Sequence, residues 1–490
     1  MKSQGVAFGT SGIRGLVTRL TDQVVYAPTT GFLQYAQKKY KFRAVALAGD
    51  LRPSTRRLMI AVAQAIKDQN LRVINFGRIP TPALAAFAFE QGIPSIMVTG
   101  SHIPADRNGV KFNLPDGEVL KPDEAAIMKE QVHLPSIFDE QGNISPSLQS
   151  GLPQRDHRAG TAFLKRYLGF FPANFLTGKT IGVYQHSAVG RYLLADLLQQ
   201  FGAKVVPLGR AVDYFIPVDT EAIREEDHRL ARQWANDPQL NLDALVSTDG
   251  DSDRPLIAGS DGVWLRGDVL GILMARILGA DFVATPVSSN TALELSGFAT
   301  VGRTKIGSPY VISEMNKALD MHYQRVVGYE GNGGFLTASP LVLEGRTLPP
   351  LPTRDAFLPI LTLLFQSVRA GRSIQEVTDD LPPRFTLGGL IKEIPRDRSD
   401  QLLSRLNTGS IETDQAAIAT LFGKSFGTPT DIDRTDGTRM MFAHPTFGDI
   451  IVHVRPSENA PELRVHVEAS SKDTAQKIFD AALSKVRELV

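Results

Sequence analysis

Residues 43–50 read R-A-V-A-L-A-G-D, residues 71–77 read L-R-V-I-N-F-G, and the stretch between them keeps helical periodicity from about Ser54 to Gln69. An apolar run, a polar loop, a helix and a second apolar run spell strand–helix–strand. Runs this apolar suit parallel strands covered by helices on both faces. The pattern returns as T-I-G-V-Y-Q-H-S (180–187), a helix near Arg191 to Gln200, and A-K-V-V-P-L-G (203–209). It returns again as D-F-V-A-T-P-V-S-S-N (281–290), a short helix near Thr291 to Leu295, and A-T-V-G-R-T-K-I-G (299–307). The repetition lies in pattern rather than identity. The fold expected is α/β: three related units with mixed, largely parallel sheets. Ligands of such sheets gather at the carboxyl ends of the strands.

A stretch rich in Ser, Pro, Gln and Gly from Leu134 to His157 reads as a linker, and a second break falls at D-D-L-P-P-R-F, 379–385. Beyond it, I-I-V-H-V-R-P (450–456) and L-R-V-H-V-E-A (463–469) alternate as strands, and a helix closes the chain. This part reads as a smaller α+β domain. The domain limits expected are 1–150, 151–262, 263–380 and 381–490.

With 490 residues the chain exceeds what one core serves. A net charge of +1 offers no broad attraction to nucleic acid or membrane. The absence of cysteine removes disulfides, thiolate nucleophiles and cysteine-held zinc. No apolar run approaches the length of a membrane span, and the N-terminus lacks a signal-peptide core. A cytoplasmic protein, monomer or homodimer, is expected.

Five polar segments carry the chemistry. D-G-D-S-D-R (249–254) alternates Asp249, Asp251 and Asp253, which in extended backbone would face one side. Three converging carboxylates repel one another unless a hard divalent cation joins them. An EF-hand is excluded, since its sixth and twelfth positions would hold Arg254 and Ser260. V-T-G-S-H-I-P-A-D-R-N-G-V-K-F (98–112) sets Ser101 after an apolar run, with His102 and Lys111 to hold a phosphate or move a proton. Phosphorylated Ser101 would supply the oxygens such a cation lacks. The G-x-S-x-G elbow of hydrolases is absent. F-G-T-S-G-I-R-G (8–15) offers backbone N–H groups and the Arg14 fork to an anion. G-Y-E-G-N-G-G-F (328–335) offers Glu330 and Asn332 to sugar hydroxyls. R-P-S-E-N-A-P-E-L-R (455–464) offers Arg455, Ser457 and Asn459 to a phosphate monoester. Each, taken alone, also reads as a solvated turn.

In this order, from Phe8 to Glu468, the segments resemble the α-D-phosphohexomutase superfamily of phosphomannomutases, phosphoglucomutases and phosphoglucosamine mutases. The resemblance implies four domains around a central cleft. It also implies a mutase that interconverts hexose 6-phosphate and hexose 1-phosphate, with mannose the first expectation and glucose possible as a second sugar. Phosphorylated Ser101 would donate its phosphoryl group, giving a hexose 1,6-bisphosphate that reorients and returns the other phosphate. Mg²⁺ would sit between Ser101 and Asp249, Asp251 and Asp253, with Arg254 beside it. Arg14, His102 and Lys111 would flank the transfer. Lys305, Glu330 and Asn332 would read the sugar, and Arg455, Ser457 and Asn459 would hold the phosphate at rest.

The chain departs from the family pattern in three places. T-G-S-H-I-P stands for T-A-S-H-N-P, Gly334 stands where the sugar loop commonly has histidine, and Glu458–Asn459 replaces a small residue and threonine. With that histidine missing, Lys111 is the expected proton carrier, since guanidinium hardly deprotonates. Phosphoglucosamine mutase is the alternative within the family, and a non-catalytic sugar-phosphate binder the alternative outside it.

Overall fold

The computed structural model describes residues 6–9, 12–145, 147, 151–457 and 461–490. Its first three sheets share one plan. The first runs strand Ala44–Gly49, helix Thr55–Asp68, strand Arg72–Arg78, helix Thr81–Glu90 and strand Ser95–Val98. The second runs Thr180–His186, helix Arg191–Gln200, Lys204–Arg210, helix Glu225–Ala235 and Ala244–Thr248. The third runs Phe282–Pro286, helix Ala292–Leu295, Thr300–Thr304, helix Ser308–Asp320 and Val326–Tyr329. In each, the first strand lies between the second and the third and pairs in parallel with both. A fourth strand, Arg107–Leu114, Pro255–Gly259 or Phe335–Thr337, then pairs antiparallel with the third. The sheets are therefore mixed, each with a three-stranded parallel block along one edge.

The physical cause is the one the apolar runs announced. Ala44–Gly49 and Phe282–Pro286 are buried along their whole length, as strands covered on both faces must be. One continuous core joins the three units, from Ala46 and Phe76 through Phe163 and Val183 to Val283 and Phe357. Burying a side chain of that size contributes about 1.5–3 kcal/mol, so this shared core holds the loops of different units in fixed relation.

The last sheet is antiparallel throughout, in the order Phe385–Lys392, Glu462–Ala469, Gly448–Pro456, Thr438–His444, Thr428–Asp433. The closing helix Lys472–Leu489 is capped by Ser471, whose side chain accepts from Thr474 N. It buries Ala475, Ile478, Ala482 and Val486 against that sheet in a core of its own. The described residues of the 134–157 stretch are mostly coil, folded back at the Phe138–Ile144 bridge. Among the described residues no helix is long and apolar enough to cross a membrane.

Candidate active site

Three polar loops occupy one topological position. Each leads from the third parallel strand of a unit into its antiparallel neighbour: 99–106, 249–254 and 330–334. This is the carboxyl end of the sheet, where open α/β folds place their ligands.

Ser101 lies in the first loop, with no exposed surface and φ +53°. A left-handed serine is strained unless its surroundings fix it. Its N–H donates to Thr99 Oγ1 at 2.7 Å, and its Oγ donates to Asp249 Oδ2 at 2.7 Å. Arg52, wholly buried, donates to the carbonyls of Ser101 (2.8 Å), Ile103 (2.6 Å), Pro104 (2.7 Å) and Arg107 (3.1 Å). Asp50 pairs with Arg52 Nε at 3.2 Å and accepts from Thr55 and Thr99. The Asp50–Arg52 pair thus determines the loop's shape.

The second loop corrects one expectation. Asp249, Asp251 and Asp253 do not alternate along extended backbone; the loop turns back at Ser252, φ +59°, with Ser252 N donating to Asp249 O. Turning, rather than alternation, brings one oxygen from each carboxylate within 4.8 Å of the others. The loop is held from another unit: Thr81, at the start of its helix, donates through N to Asp251 O at 2.9 Å and through Oγ1 to Asp251 Oδ2 at 2.6 Å. A side chain on Gly250 would strike the Ser101 carbonyl, 2.6 Å from its β-carbon.

The charges around this point nearly balance. Lys111 Nζ donates to Asp251 at 2.6 Å and to Asp253 at 2.7 Å. Arg354 Nε donates to Asp253 Oδ2 at 3.0 Å. Burial works to raise the Asp253 carboxyl, yet Arg354, Lys111 and Arg254 hold it below the ordinary range. Burial, Asp251 and Asp253 drive Asp249 well above that range, because like charges in one dry spot resist common ionisation. Enclosure and the nearby Arg254 and Arg354 pull Arg14 down to about 10. His102 Nδ1 accepts from Arg254 Nη1 at 2.8 Å, and burial with Arg254 and Arg14 keeps its ring far below its usual titration range. In this arrangement His102 Nδ1 is taken up by the Arg254 guanidinium.

In the third loop Glu330 accepts from Arg354 Nη1 at 3.0 Å, and Asn332 Oδ1 from Gly334 N at 3.0 Å. Lys305 is exposed after the Thr300–Thr304 strand, and among the described residues its ammonium contacts none of the others. Arg455 and Ser457 are buried at the end of Gly448–Pro456, with Arg455 Nη1 3.8 Å from Asp436. Asn459 and Glu458 lie outside the described residues.

The aspartates fit a divalent cation. Asp251 Oδ1 and Asp253 Oδ1 are buried without a hydrogen-bond partner among the described residues, and a carboxylate triad is the donor set that Mg²⁺ or Ca²⁺ takes.

Sequence reasoning missed Asp50, Arg52, Arg354 and the segment Asp219–Glu221. That segment joins two loops. Asp219 Oδ2 lies 3.8 Å from His102 Nε2, and Thr220 Oγ1 donates to Asn332 O at 2.6 Å. The Glu221 carboxylate lies against Gly331, whose β-carbon would be 3.0 Å from Glu221 Oε1. A-G-D-L-R, beginning at Ala48, ends an apolar run on a charged pair and was the one available signal. Arg354 and Glu221 are near the site only through the fold.

Residues 5–134 match the family model described as phosphoglucomutase/phosphomannomutase, alpha/beta/alpha domain I, and residues 266–385 match domain III of the same series. A phosphomannomutase of Salmonella muenchen is 43% identical over 492 residues, covering 99% of this chain and 97% of that protein. A phosphomannomutase of Sinorhizobium fredii is 39% identical over 484 residues, covering 98% of each. A solved phosphoglucomutase/phosphomannomutase family protein from Burkholderia thailandensis has a TM-score of 0.73 at 18% identity, covering 99% of this chain and 98% of that one. At that identity the likeness speaks for the fold alone.

Proposed function

The chain belongs to the phosphoglucomutase/phosphomannomutase family, the α-D-phosphohexomutases, and is an isomerase of that kind; from this premise we propose that it interconverts mannose 6-phosphate and mannose 1-phosphate, with glucose phosphates as a second substrate pair. The observation that supports this most is the 2.7 Å contact between Ser101 Oγ and the Asp249 carboxylate. A hydroxyl with no exposed surface, bonded to one of three clustered aspartates that Lys111 and Arg254 also meet, suits a phosphoserine better than it suits a passive binder.

In this reading the bond from phosphorus to Ser101 Oγ breaks as one forms to a sugar hydroxyl. The hydroxyl's proton must leave and the serine oxygen must gain one. Lys111 begins as an ammonium held by Asp251 and Asp253, so it serves this exchange by giving a proton to Oγ and then taking the hydroxyl's. Arg14 and Arg254 hold the transferring group as fixed cations. Glu330 and Asn332 accept from sugar hydroxyls. Arg455 and Ser457, with Asn459, grip the other phosphate while the hexose 1,6-bisphosphate turns. Asp249, Asp251 and Asp253, with the phosphoserine, would hold Mg²⁺, which when bound supplies neutralisation of the phosphoryl charge. The domain limits 1–150, 151–262, 263–380 and 381–490 belong to the same proposal, supported by one main sheet in each.

Glu221 beside the sugar loop favours one further reading, a 2-amino sugar phosphate, whose ammonium would meet this carboxylate. A coupled assay comparing mannose, glucose and glucosamine 1-phosphates ranks the sugars. Intact mass should show a phosphate on Ser101 that is lost in Ser101→Ala. No turnover of any of the three sugars would remove the mutase reading.

A further inference from the structure

Arg354 is the penultimate residue of the strand Leu351–Asp355, and its side chain is 4% exposed. Its Nε donates to Asp253 Oδ2 at 3.0 Å and its Nη1 to Glu330 Oε2 at 3.0 Å. Asp253 belongs to the acidic triad and Glu330 to the loop facing the sugar. One rigid fork therefore ties a carboxylate of each loop. The strand carrying it is anchored in turn: Thr353 Oγ1 donates to Glu118 Oε1 at 2.6 Å, and Ser308 Oγ to Glu118 Oε2 at 2.8 Å.

Gly334 is what admits this side chain. A β-carbon at 334 would stand 2.6 Å from Arg354 Cδ and 2.7 Å from its Cγ, so a larger residue there would force the arginine to shift. Burial opposes the guanidinium's charge, but Asp253 and Glu330 hold it firmly protonated. A buried guanidinium with two carboxylate partners is costly to disturb, and its planar fork fixes both partners in direction, which an ammonium does not.

Resting on the mutase reading above, we propose that Arg354 is a positioning residue that couples the cation end of the site to the sugar end. It aims Glu330 at the sugar hydroxyls. At the same time its charge on Asp253 holds the triad's affinity for a divalent cation below what three aspartates alone would have. The two effects have opposite signs when the charge is removed, because a cation competes with a cation while a positioning contact only helps.

The test uses full-length protein and two variants, Arg354→Met and Arg354→Lys. Mn²⁺ binding is measured by electron paramagnetic resonance without substrate, and KM is measured for mannose 1-phosphate and glucose 1-phosphate. Arg354→Met should bind Mn²⁺ about tenfold more tightly while KM rises about tenfold or more. Arg354→Lys keeps the charge and loses the fork, so Mn²⁺ affinity should stay within about twofold while KM rises about fivefold. Weaker binding of both Mn²⁺ and sugar in Arg354→Met would mark a merely structural role and overturn the proposal. If Arg354→Met does not fold, an unchanged KM in Arg354→Lys overturns it equally. If the wild type turns over none of these sugars, the mutase reading fails, and the Mn²⁺ arm still judges Arg354 by the sign of its change.

Discussion

A β-carbon on Gly100 would lie 2.6 Å from Arg52 Nε and 2.7 Å from its Cζ. The glycine that precedes Ser101 is therefore the space in which the loop's own clamp sits. The guanidinium in that space binds the carbonyls of Ser101, Ile103 and Pro104 in the loop and of Arg107 where the next strand begins.

Gly100→Ala should consequently damage both stability and turnover. Overpacking a filled site costs typically 1–3 kcal/mol, and Arg52 can yield only by releasing carbonyls it now binds, that of Ser101 among them in a buried contact. We expect a loss of about that size in urea unfolding and a fall of at least tenfold in kcat, with KM little changed. Wild-type values of both would show that Arg52 moves aside freely.

Lys111→Met should slow the chemical step more than it weakens sugar binding. Its Nζ joins Asp251 and Asp253, at 2.6 and 2.7 Å, and contacts no residue of the 330–334 loop. Rapid-quench transfer from phosphorylated enzyme should fall by about 100-fold or more, the size of a general acid–base contribution, while KM changes by less than threefold. Chelation of divalent cations should stop turnover of the wild type; full activity in excess chelator would refute the assignment of the triad.

Stability should decline as the solution is acidified from neutrality. His186 Nε2 donates to Thr248 O at 2.7 Å and His453 Nε2 to Asp436 O at 2.6 Å, and the Nδ1 of each is buried without a partner among the described residues. Burial pushes both rings down to about 4, helped at His453 by Arg439 and Arg455. Unfolded, each titrates near 6.5. Between pH 6.5 and 4 the unfolded chain binds the extra protons, so stability is complete above 6.5 and is lost as pH falls through that window. Each ring contributes roughly 1.4 kcal/mol per pH unit there. His453→Gln should lower the measured slope by about that amount; an unaltered slope between pH 6 and 4.5 would contradict the assignment.

The helix Arg191–Gln200 stands where its periodicity put it, and Thr55–Asp68 and Ala292–Leu295 differ from their expected limits by a residue at one or both ends. Local apolar spacing carries that information, because a helix face or a strand face is written within a dozen residues. The four-stranded plan common to three units was only half legible. The third parallel strand and its antiparallel partner surround the functional loops, and Asp, Gly and Ser in those loops mask the repeat. The aspartate triad shows the difference most clearly. Its residues were found by their spacing, but the reason given, alternation along a strand, gave way to a turn at Ser252.

Sequence alone determined the alternation of strands and helices, the loops that bear chemistry, and the family to which five short motifs point. These are properties of neighbours along the chain. The tertiary structure alone decided that Arg52 clamps Ser101, that Arg354 fills the space left by Gly334, and that Glu221 stands beside the sugar loop. Those contacts span tens to hundreds of residues, and they depend on a shared apolar core that brings separate sheets to one point, which no local pattern encodes.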